Sequence, residues 1–340
     1  MAKGDKVSLV AVPDMVPLAT EVCQLMRAGG FKKLRDVIPV KINHFADGVS
    51  LAQITQSIRR TEVYLFYAPP IGQPDLGLAE LAKILNATHF GSPRSIKVVL
   101  PNFWEGRADR KSNARESTNA KELAKIIESY SSVDGMFTFD LHAEQIVLAF
   151  DRVAVDDLKG RVILAEHVRK LFPDLSIVEL ISPDVGSAKR TRKLAKRLGK
   201  KLAGIVDKER TGDNIAEMEN FIGKVPVGKT VIIADDIFDT GSTLFNAAEY
   251  LLKQGVAKVL AVGTHGHFNP DKKTRKSFAE RSRALGISVI VLDTIPRTPD
   301  FQKENADWLT IVSSAPMFTH AIIASLTPGA SVSKLSEDEK

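Results

Sequence analysis

Short runs of apolar, mostly β-branched residues alternate along the chain with longer stretches in which apolar residues recur at helical spacing. Such runs are typical of buried strands, and their alternation with helices indicates βαβ units and a largely parallel sheet. The predicted strands of the first half are 7–12, 37–42, 63–67, 96–100 and 135–141. Those of the second half are 177–181, 202–206, 230–235, 259–263 and 287–292. The pattern therefore predicts an α/β fold in each half of the chain.

The length of the chain predicts more than one domain. A chain of 340 residues exceeds the size that one hydrophobic core usually organises, so two similar α/β domains are expected. Segment 151–160 is polar and ends in glycine, which is typical of a linker. We therefore predict an N-terminal domain at 1–155 and a second domain at 156–305. Residues 306–340 are expected to form a strand and helix that pack back on the first domain, followed by a flexible tail.

The composition narrows the class of protein. With 44% hydrophobic and 26% charged residues, the balance is that of a globular protein and argues against extended disorder. No apolar run reaches the roughly 18 residues of a membrane span, and the first residues lack the apolar core of a signal peptide. We therefore expect a cytoplasmic protein without a membrane partner. The single cysteine, Cys23, lies in an apolar helical pattern and is expected to be a buried structural thiol.

The net charge of +6 is compatible with either nucleic acid or polyphosphate ligands. The densest cationic run, 189–201, contains Leu194 and Leu198 at helical spacing, which predicts an amphipathic helix with a solvated outer face. A surface that binds single-stranded nucleic acid would require aromatic residues between these cations, and the run contains none. No nucleic-acid partner is therefore expected.

Residues 223–230 satisfy the P-loop pattern G-x-x-x-x-G-K-[ST]. A working P-loop leaves a strand and opens a helix whose amides face the phosphates. Here the pattern instead runs directly into the predicted strand 230–235. We interpret the match as a coincidence.

The most informative segment is the one in which this strand ends. Asp235 and Asp236 close the strand, Asp239 follows in a turn, and the residues Thr-Gly-Ser-Thr at 240–243 open a helical pattern. Hydroxyls and amides at a helix N-terminus suit a phosphate, and glycine permits its close approach. The preceding acids would repel phosphate but suit ribose hydroxyls or metal-bound water. Three acids also exceed what capping of a helix needs.

This loop resembles the phosphoribosyl-diphosphate loop that type I phosphoribosyltransferases share with the diphosphokinases that make their substrate. Further segments resemble the ribose-phosphate diphosphokinases specifically, in the correct order and over nearly the whole chain. These segments are FADG at 45–48, GRADRK at 106–111, FDLHAEQ at 139–145, SPDVG at 182–186, DKER at 207–210, VSSAP at 312–316 and SVS at 331–333. The resemblance implies two similar type I phosphoribosyltransferase-like domains, each with a mainly parallel sheet flanked by helices.

The resemblance also implies roles for individual residues. The implied ATP-binding residues are Phe45, Asp47, Arg107, Asp109, Arg110 and His142. The implied diphosphate-binding residues are Asp184, Val185, Gly186 and Ser187. The implied ribose-phosphate-binding residues are Asp235, Asp236, Asp239, Thr240, Gly241, Ser242 and Thr243. The implied catalytic residues are Lys208, Arg210 and His142, and the implied metal ligands are His142, Asp184, Asp235 and Asp236.

The residues themselves are consistent with this chemistry. His142 and Asp184 each follow a predicted strand, so they could share one Mg²⁺ bound to ATP. Lys208 and Arg210 alternate along a strand end and would place two cations on one side. The expected reaction is in-line attack by the anomeric hydroxyl of ribose 5-phosphate on the β-phosphorus of MgATP, with AMP as the leaving group.

Several positions depart from the family pattern and leave the exact activity open. Ala108 stands where the family has glutamine, Val49 where it has glutamate, and Ser187 replaces a small residue of the diphosphate turn. These changes are compatible with another nucleotide preference or with a substituted acceptor such as ADP-ribose. They are also compatible with a non-catalytic regulatory member of the family, and the loop at 235–243 alone would fit a phosphoribosyltransferase. The family further implies a homo-oligomer, either a dimer or a hexamer.

Overall fold

The computed structural model describes residues 7–31, 34–209 and 218–336, with the backbone alone at 208, 209 and 218–220. The chain forms two compact units. The first comprises Met1–Lys159 together with Ser313–Glu337, and the second is built on Gly160–Val312. The domain limits that we inferred from the sequence stay predictions.

The first unit contains one seven-stranded sheet with the order β3-β2-β1-β4-β5-β6-β7. Its strands are β1 (Val7–Ala11), β2 (Ile38–His44), β3 (Ser50–Ile54), β4 (Glu62–Phe66), β5 (Ser95–Val99), β6 (Val133–Phe139) and β7 (Ala154–Leu158). Its α-helices are α1 (Val16–Ala28), α2 (Pro74–Phe90), α3 (Asn119–Ile127) and, from the end of the chain, α9 (Ala315–Leu326). Every pair among these described strands is parallel except β2 with β3.

The second unit repeats this topology, with the order β10-β9-β8-β11-β12-β13-β14. Its strands are β8 (Val178–Ser182), β9 (Leu202–Glu209), β10 (Met218–Gly223), β11 (Thr230–Phe238), β12 (Lys258–Gly266), β13 (Ser288–Leu292) and β14 (Leu309–Val312). Its α-helices are α4 (Arg161–Leu171), α5 (Ala188–Arg197), α6 (Ser242–Lys253), α7 (Phe278–Leu285) and α8 (Pro299–Glu304). Among the strands that the structure describes here, only β9 and β10 pair antiparallel, so an antiparallel pair lies at one edge of each described sheet.

The continuous apolar runs became the interior strands because parallel strands are covered by helices on both faces. All five residues of β1 are buried, as are most of those in β4 and β12. The ten predicted strands are present, with ends that differ from the predicted ones by up to three residues. Three strands, β3, β7 and β10, were not predicted, and β14 lies in the segment 306–340 where we expected a strand, but it pairs with β13 in the second unit. All four lie at sheet edges, where a strand needs no continuous apolar run.

The structure corrects the prediction that 151–160 is a linker, because this segment contains strand β7. This strand pairs in parallel with β6, and Val153 and Leu158 are buried. Asp156 and Asp157 are half-buried within it, and burial raises the pKa of both carboxyls. The two acids made a structured strand look like a polar connection in the sequence.

Aromatic side chains fill the core of each unit. In the first unit, the ring of Phe318 on α9 packs edge-on against Phe66 and Phe139, whose strands lie in the sheet. In the second, Phe245 and Phe278 pack with centroids 4.7 Å apart. Helix α9 therefore contributes to the core of the first unit although it comes from the end of the chain.

Three smaller predictions are confirmed. Cys23 is buried on α1, and burial raises its thiol pKa. The P-loop pattern begins at the end of β10 and runs into β11, and the ammonium of Lys229 lies 2.8 Å from the Glu179 carboxylate rather than at a helix N-terminus. Residues 189–197 of the cationic run lie in helix α5, where Leu194 is buried as the amphipathic pattern predicts. Within the described ranges, no helix has both the length and the apolarity of a membrane span.

Candidate functional site

Strand β11 carries two carboxylates near its end, at the carboxyl edge of the second sheet. Asp236 is only 3% exposed, and the Asp235 side chain is half-buried. Strand β11 lies between β8 and β12. The loops after these two neighbours therefore flank the acid pair, as is usual for ligand sites in open α/β sheets.

Arg190 compensates the charge of both acids. Its Nη1 lies 3.3 Å from an oxygen of Asp235, and its Nη2 lies 3.0 Å from an oxygen of Asp236. The cationic pattern predicts a solvated outer face for this helix, and the structure corrects this prediction for Arg190. The residue lies in the first turn of α5, and that turn follows β8 at the same edge of the sheet as the acids. Its position three residues after a strand-end loop was the available signal.

The electrostatics of this pair depend on that guanidinium. Burial raises the pKa of Asp235, the neighbouring charge of Asp236 raises it further, and Arg190 lowers it. Ser187 links the acid pair to the preceding turn. Its hydroxyl donates to Asp235 at 3.1 Å, and its amide donates to Asp184 at 2.7 Å. The turn 184–187 and the acid pair therefore form one connected group.

A turn of small and hydroxyl-bearing residues, 240–243, follows the acid pair at the start of α6, and we call it the cradle. Gly241 caps the helix with φ of +69°. A Cβ atom at this position would lie 2.5 Å from the ring of Phe278 and 2.7 Å from that of Phe245, so only glycine fits. The hydroxyls of Thr240 and Ser242 lie 3.2 Å apart. The first amides of this 12-residue helix and these hydroxyls are suited to bind an anion.

The cradle is braced by the loop after β12. Asp271 accepts a hydrogen bond from the Ser242 hydroxyl at 3.0 Å and also pairs with Arg281 at 3.5 Å. Arg281 donates to the carbonyl of Thr240 at 3.0 Å. Asn269 donates to Asp239 at 2.7 Å, so the acid of the turn is also held. Sequence reasoning missed Asp271, Arg281 and Asn269, because no local pattern connects them with the cradle.

The predicted catalytic pair is only partly within the described ranges. The backbone of Lys208 lies near the end of β9, where its Cα pairs with that of Glu219 on β10. Strand β9 neighbours β8, so this position lies at the same sheet edge as Asp184. Arg210 lies outside the described residues. The catalytic roles of both residues stay predictions.

In the first unit, two predicted ATP-binding segments meet. Arg107 lies in a 3-10 turn, Gly106–Ala108, after β5. A Cβ atom built on Gly106 would lie 3.5 Å from the Cβ of His142, which follows β6. The side-chain amide of Gln145 donates to Asp109 at 2.8 Å. The loop 106–110 and the segment around His142 are therefore neighbours, as the adjacency of β5 and β6 requires.

A half-buried acid, Asp157, positions the turn that leads into His142. Asp140 has a φ of +38°, and the next amide, that of Leu141, donates to Asp157 at 3.1 Å. Asp157 also pairs with the ammonium of Lys159. Burial raises the pKa of Asp157, and the Lys159 charge opposes this shift. This positioning contact was missed because its acid lay in the supposed linker.

Phe45 and Asp47 lie in the turn that joins β2 to β3. Asp47 accepts a hydrogen bond from the amide of Val49 at 3.0 Å, and Phe45 is 56% exposed. In the sheet, β1 and β4 separate β2 from β5. Three strand spacings, about 14 Å, therefore separate this turn from loop 106–110 within the unit. Their joint role in nucleotide binding stays a prediction.

The predicted metal ligands are distributed over both units. His142 belongs to the first and Asp184 to the second, and their shared ligation stays a prediction. Across the described residues, no group of three or more His, Cys, Asp or Glu side chains is arranged to hold a metal ion. Asp235 and Asp236 are already paired with Arg190. Magnesium often takes only one or two protein carboxylates and completes its shell with phosphates and water, which this arrangement allows.

Comparison with known proteins agrees with the repeated fold. Residues 7–130 match the family model described as the N-terminal domain of ribose phosphate pyrophosphokinase, and residues 158–282 match the phosphoribosyl transferase domain. The chain is 37% identical over 285 residues to a ribose-phosphate pyrophosphokinase of Prochlorococcus marinus, covering 84% of this chain and 82% of the relative. It is 31% identical over 324 residues to that of Ureaplasma parvum, with coverages of 95% and 92%.

A solved structure extends the similarity to the whole fold. The crystal structure of phosphoribosylpyrophosphate synthetase from Mycobacterium smegmatis superposes with a TM-score of 0.81 at 26% identity. The match covers 95% of this chain and 99% of that one. The predicted fold class, with two similar phosphoribosyltransferase-like domains, is confirmed.

Proposed function

Because this chain belongs to the ribose-phosphate pyrophosphokinase family, we propose that it transfers the diphosphate group of ATP to the anomeric hydroxyl of a ribose 5-phosphate unit. The products are a phosphoribosyl diphosphate and AMP. Family membership confirms the prediction that the protein is an enzyme of the diphosphotransferase class. The observation that carries the finer proposal is the charge-compensated acid pair beside the cradle at the start of α6.

The acceptor binds in the second unit. Its ribose hydroxyls form hydrogen bonds to Asp235 and Asp236, whose charges Arg190 compensates. Its 5-phosphate receives hydrogen bonds from the amides and hydroxyls of residues 240–243. Two opposite requirements, acceptors for hydroxyls and donors for phosphate, are thus met by one strand-turn-helix segment.

The transferred diphosphate lies at the turn 184–187, beside the acid pair. Transfer of this kind needs positioning and charge neutralisation more than covalent help. Arg107 and Arg110 of the first unit bind the ATP phosphates in this proposal. Lys208 and Arg210 stabilise the charge that develops between the attacking and leaving oxygens.

Magnesium is the metal that we assign to the reaction. When bound, it neutralises charge on the ATP phosphates and holds them in one geometry. His142 and Asp184 would be its protein ligands. The acid pair is better suited to sugar hydroxyls than to direct ligation of the ion, because Arg190 already compensates both charges.

The remaining assignments follow from the same family. ATP and a ribose 5-phosphate unit are the small-molecule partners in this proposal. A homo-oligomer, dimer or hexamer, and a cytoplasmic location stay predictions. A phosphoribosyltransferase would need only one core domain, whereas this chain has two sheet units and both family models. The assay described next distinguishes this enzyme from a regulatory family member that has no turnover.

The full chain is incubated with Mg²⁺, ATP and ribose 5-phosphate, and the products are followed by ³¹P NMR. The proposal expects AMP and a diphosphate ester at the anomeric carbon in equal amounts. Reactions without acceptor and without Mg²⁺ serve as controls. Formation of ADP instead of AMP, or AMP release that does not need an acceptor, would refute diphosphate transfer. Absence of any product with either ribose 5-phosphate or ADP-ribose would favour a regulatory protein without turnover.

A further inference from the structure

The loop after β12 carries an unusual density of positive charge. Residues 272–276 have the sequence Lys-Lys-Thr-Arg-Lys, with four cations and no acid. All five residues are exposed. We call residues 271–276 the basic turn. The acid that begins it, Asp271, directs its carboxylate to the backbone of the turn and to the cradle, as the following contacts show.

The backbone of the basic turn is held by its own hydrogen bonds. Asp271 accepts from the amides of Lys273 at 3.0 Å and Thr274 at 2.7 Å. The amide of Asp271 donates to the carbonyl of Lys276 at 3.0 Å, and that of Arg275 donates to the carbonyl of Asp271 at 2.9 Å. A ligand that meets these cations therefore meets a backbone that is already ordered, which lowers the entropy lost on binding.

The basic turn is joined directly to the cradle. The second carboxylate oxygen of Asp271 accepts the Ser242 hydroxyl at 3.0 Å, and Ser242 is the first residue of α6. The first of the four cations, Lys272, is the next residue in the chain. The positive charges thus begin one residue away from a group that contacts the cradle.

The strand order gives the site a direction. Strand β11, with the acid pair and the cradle, lies between β8 and β12. The turn 184–187 and Arg190 follow β8, and the basic turn follows β12. A ribose phosphate whose anomeric end faces turn 184–187 has its 5-phosphate in the cradle. Any substituent on that phosphate must leave the cradle, and the basic turn borders it on the side away from the anomeric end.

We propose that the basic turn binds a second phosphate group, carried by the acceptor beyond its 5-phosphate. The acceptor class is then a ribose 5-phosphate that is extended by a further phosphate, as in a nucleoside diphosphate ribose. This inference rests on the proposed function, because it takes the cradle as the 5-phosphate site. Unsubstituted ribose 5-phosphate occupies the cradle and leaves the basic turn unused.

The test measures how removal of the four charges, in a variant of the full chain, changes kcat/KM for each of two acceptors. Rates are measured with saturating Mg²⁺ and ATP, and with ribose 5-phosphate or ADP-ribose as the varied acceptor. We expect the variant K272Q/K273Q/R275Q/K276Q to lower kcat/KM for ADP-ribose about tenfold more than for ribose 5-phosphate, the combined effect of several exposed charge pairs. The difference between the two acceptors should shrink at high ionic strength, because salt screens exposed charges.

The matched control removes four charges at the opposite edge of the same sheet. Four exposed lysines lie at this edge, namely Lys201 and Lys258 at the starts of β9 and β12, Lys224 after the end of the antiparallel strand β10, and Lys253 at the end of α6. The variant K201Q/K224Q/K253Q/K258Q has the same net charge as the test variant. We expect it to change kcat/KM for both acceptors by the same factor. The comparison then distinguishes an effect of where the charges lie from an effect of how many are removed.

Equal losses for the two acceptors in the test variant would overturn the proposal, as would a wild-type enzyme that does not accept ADP-ribose. If inorganic phosphate stimulates the ribose 5-phosphate reaction of the wild type but not of the variant, the turn binds a free effector and the proposal also fails. If neither acceptor releases AMP, the proposed function fails separately. Titration calorimetry with the same two ligands then decides: weaker ADP-ribose binding by the variant supports the inference, and unchanged binding overturns it.

Discussion

The guanidinium of Arg190 lies 3.0 Å from the carboxylate of Asp236, a residue with 3% exposure. The same guanidinium reaches Asp235 at 3.3 Å. Two adjacent carboxylates in such a position lose hydration and repel each other, which raises the pKa of Asp235 to about 7, and the guanidinium of Arg190 opposes this shift. The acceptor site therefore depends on a residue that touches the acids and that, in our proposal, does not touch the transferred group.

Arg190→Met tests this dependence. Removal of the cation leaves the two carboxylates without compensation, so KM for the acceptor should rise while KM for ATP changes little. The free energy of unfolding should fall by about 1–3 kcal/mol, because a partly buried charged hydrogen-bond partner is lost. Urea unfolding and steady-state kinetics measure the two effects. Arg192→Met, an exposed position on the same helix, is the control. Equal changes in the two variants would show that Arg190 has no special role.

Gly241→Ala tests the shape of the cradle. An alanine at φ +69° is strained, and its Cβ would also overlap the rings of Phe278 and Phe245. Gly228→Ala provides a close match, because Gly228 has φ +74° with nothing within 4 Å of the added carbon. The control should lose about 1–2 kcal/mol of unfolding free energy. Gly241→Ala should lose roughly 1–3 kcal/mol more from overpacking. Similar urea midpoints for both variants would contradict the packing that we describe.

Asp271→Asn tests the contact between the cradle and the loop after β12 through its pH dependence. Hydrogen bonds from Thr274, Ser242 and Lys273 lower the pKa of Asp271 to about 2. A carboxyl whose folded pKa is depressed stabilises the protein above its unfolded pKa of about 3.9, and this contribution is lost as the pH falls through about 2. The stability difference between wild type and variant should therefore be constant near neutral pH and shrink below about pH 4. Urea midpoints across this range measure it, and a difference that grows on acidification would be incompatible with the contact.

Asp157→Ala tests the positioning of the turn that precedes His142. The variant leaves the Leu141 amide without its acceptor, so kcat/KM for ATP should fall about tenfold or more through misplacement of the turn. Asp156→Ala, at the neighbouring position of the same strand, is the control and should alter ATP kinetics far less. Asp157→Asn keeps an acceptor oxygen and should restore part of the loss. If the asparagine variant is as impaired as the alanine variant, the hydrogen bond to Leu141 is not the reason.

Arg210→Ala tests the catalytic assignment that comes from the sequence. A cation that stabilises the developing charge in phosphoryl transfer contributes on the order of 10³-fold to turnover. We expect kcat to fall by that factor while KM for both substrates changes little. Arg192→Ala is a suitable control for loss of one positive charge. A decrease of less than tenfold would remove Arg210 from the mechanism.

The residues 231–244 show what could be read without coordinates. Their strand, acids, turn and helix start are consecutive, so local rules for strands, glycine and helix N-termini were enough to identify the cradle. The interior strands were equally predictable, because burial on both faces requires continuous apolar runs. The edge strands were not, since half-exposed segments such as β7 can carry acids.

The partners of these local motifs depended on the tertiary structure. Arg190 is 45 residues from Asp235, Ser242 is 29 residues from Asp271, and Leu141 is 16 residues from Asp157. Each pair meets because neighbouring strands bring their ends, and the loops that follow them, to one edge of a sheet, and no local sequence pattern specifies the order of strands. The amino-acid sequence therefore determined which segments could bind a ribose phosphate. The pairing of strands decided which charged residues come into contact with that site. This is because electrostatic contacts depend on distance in space and not on separation along the chain.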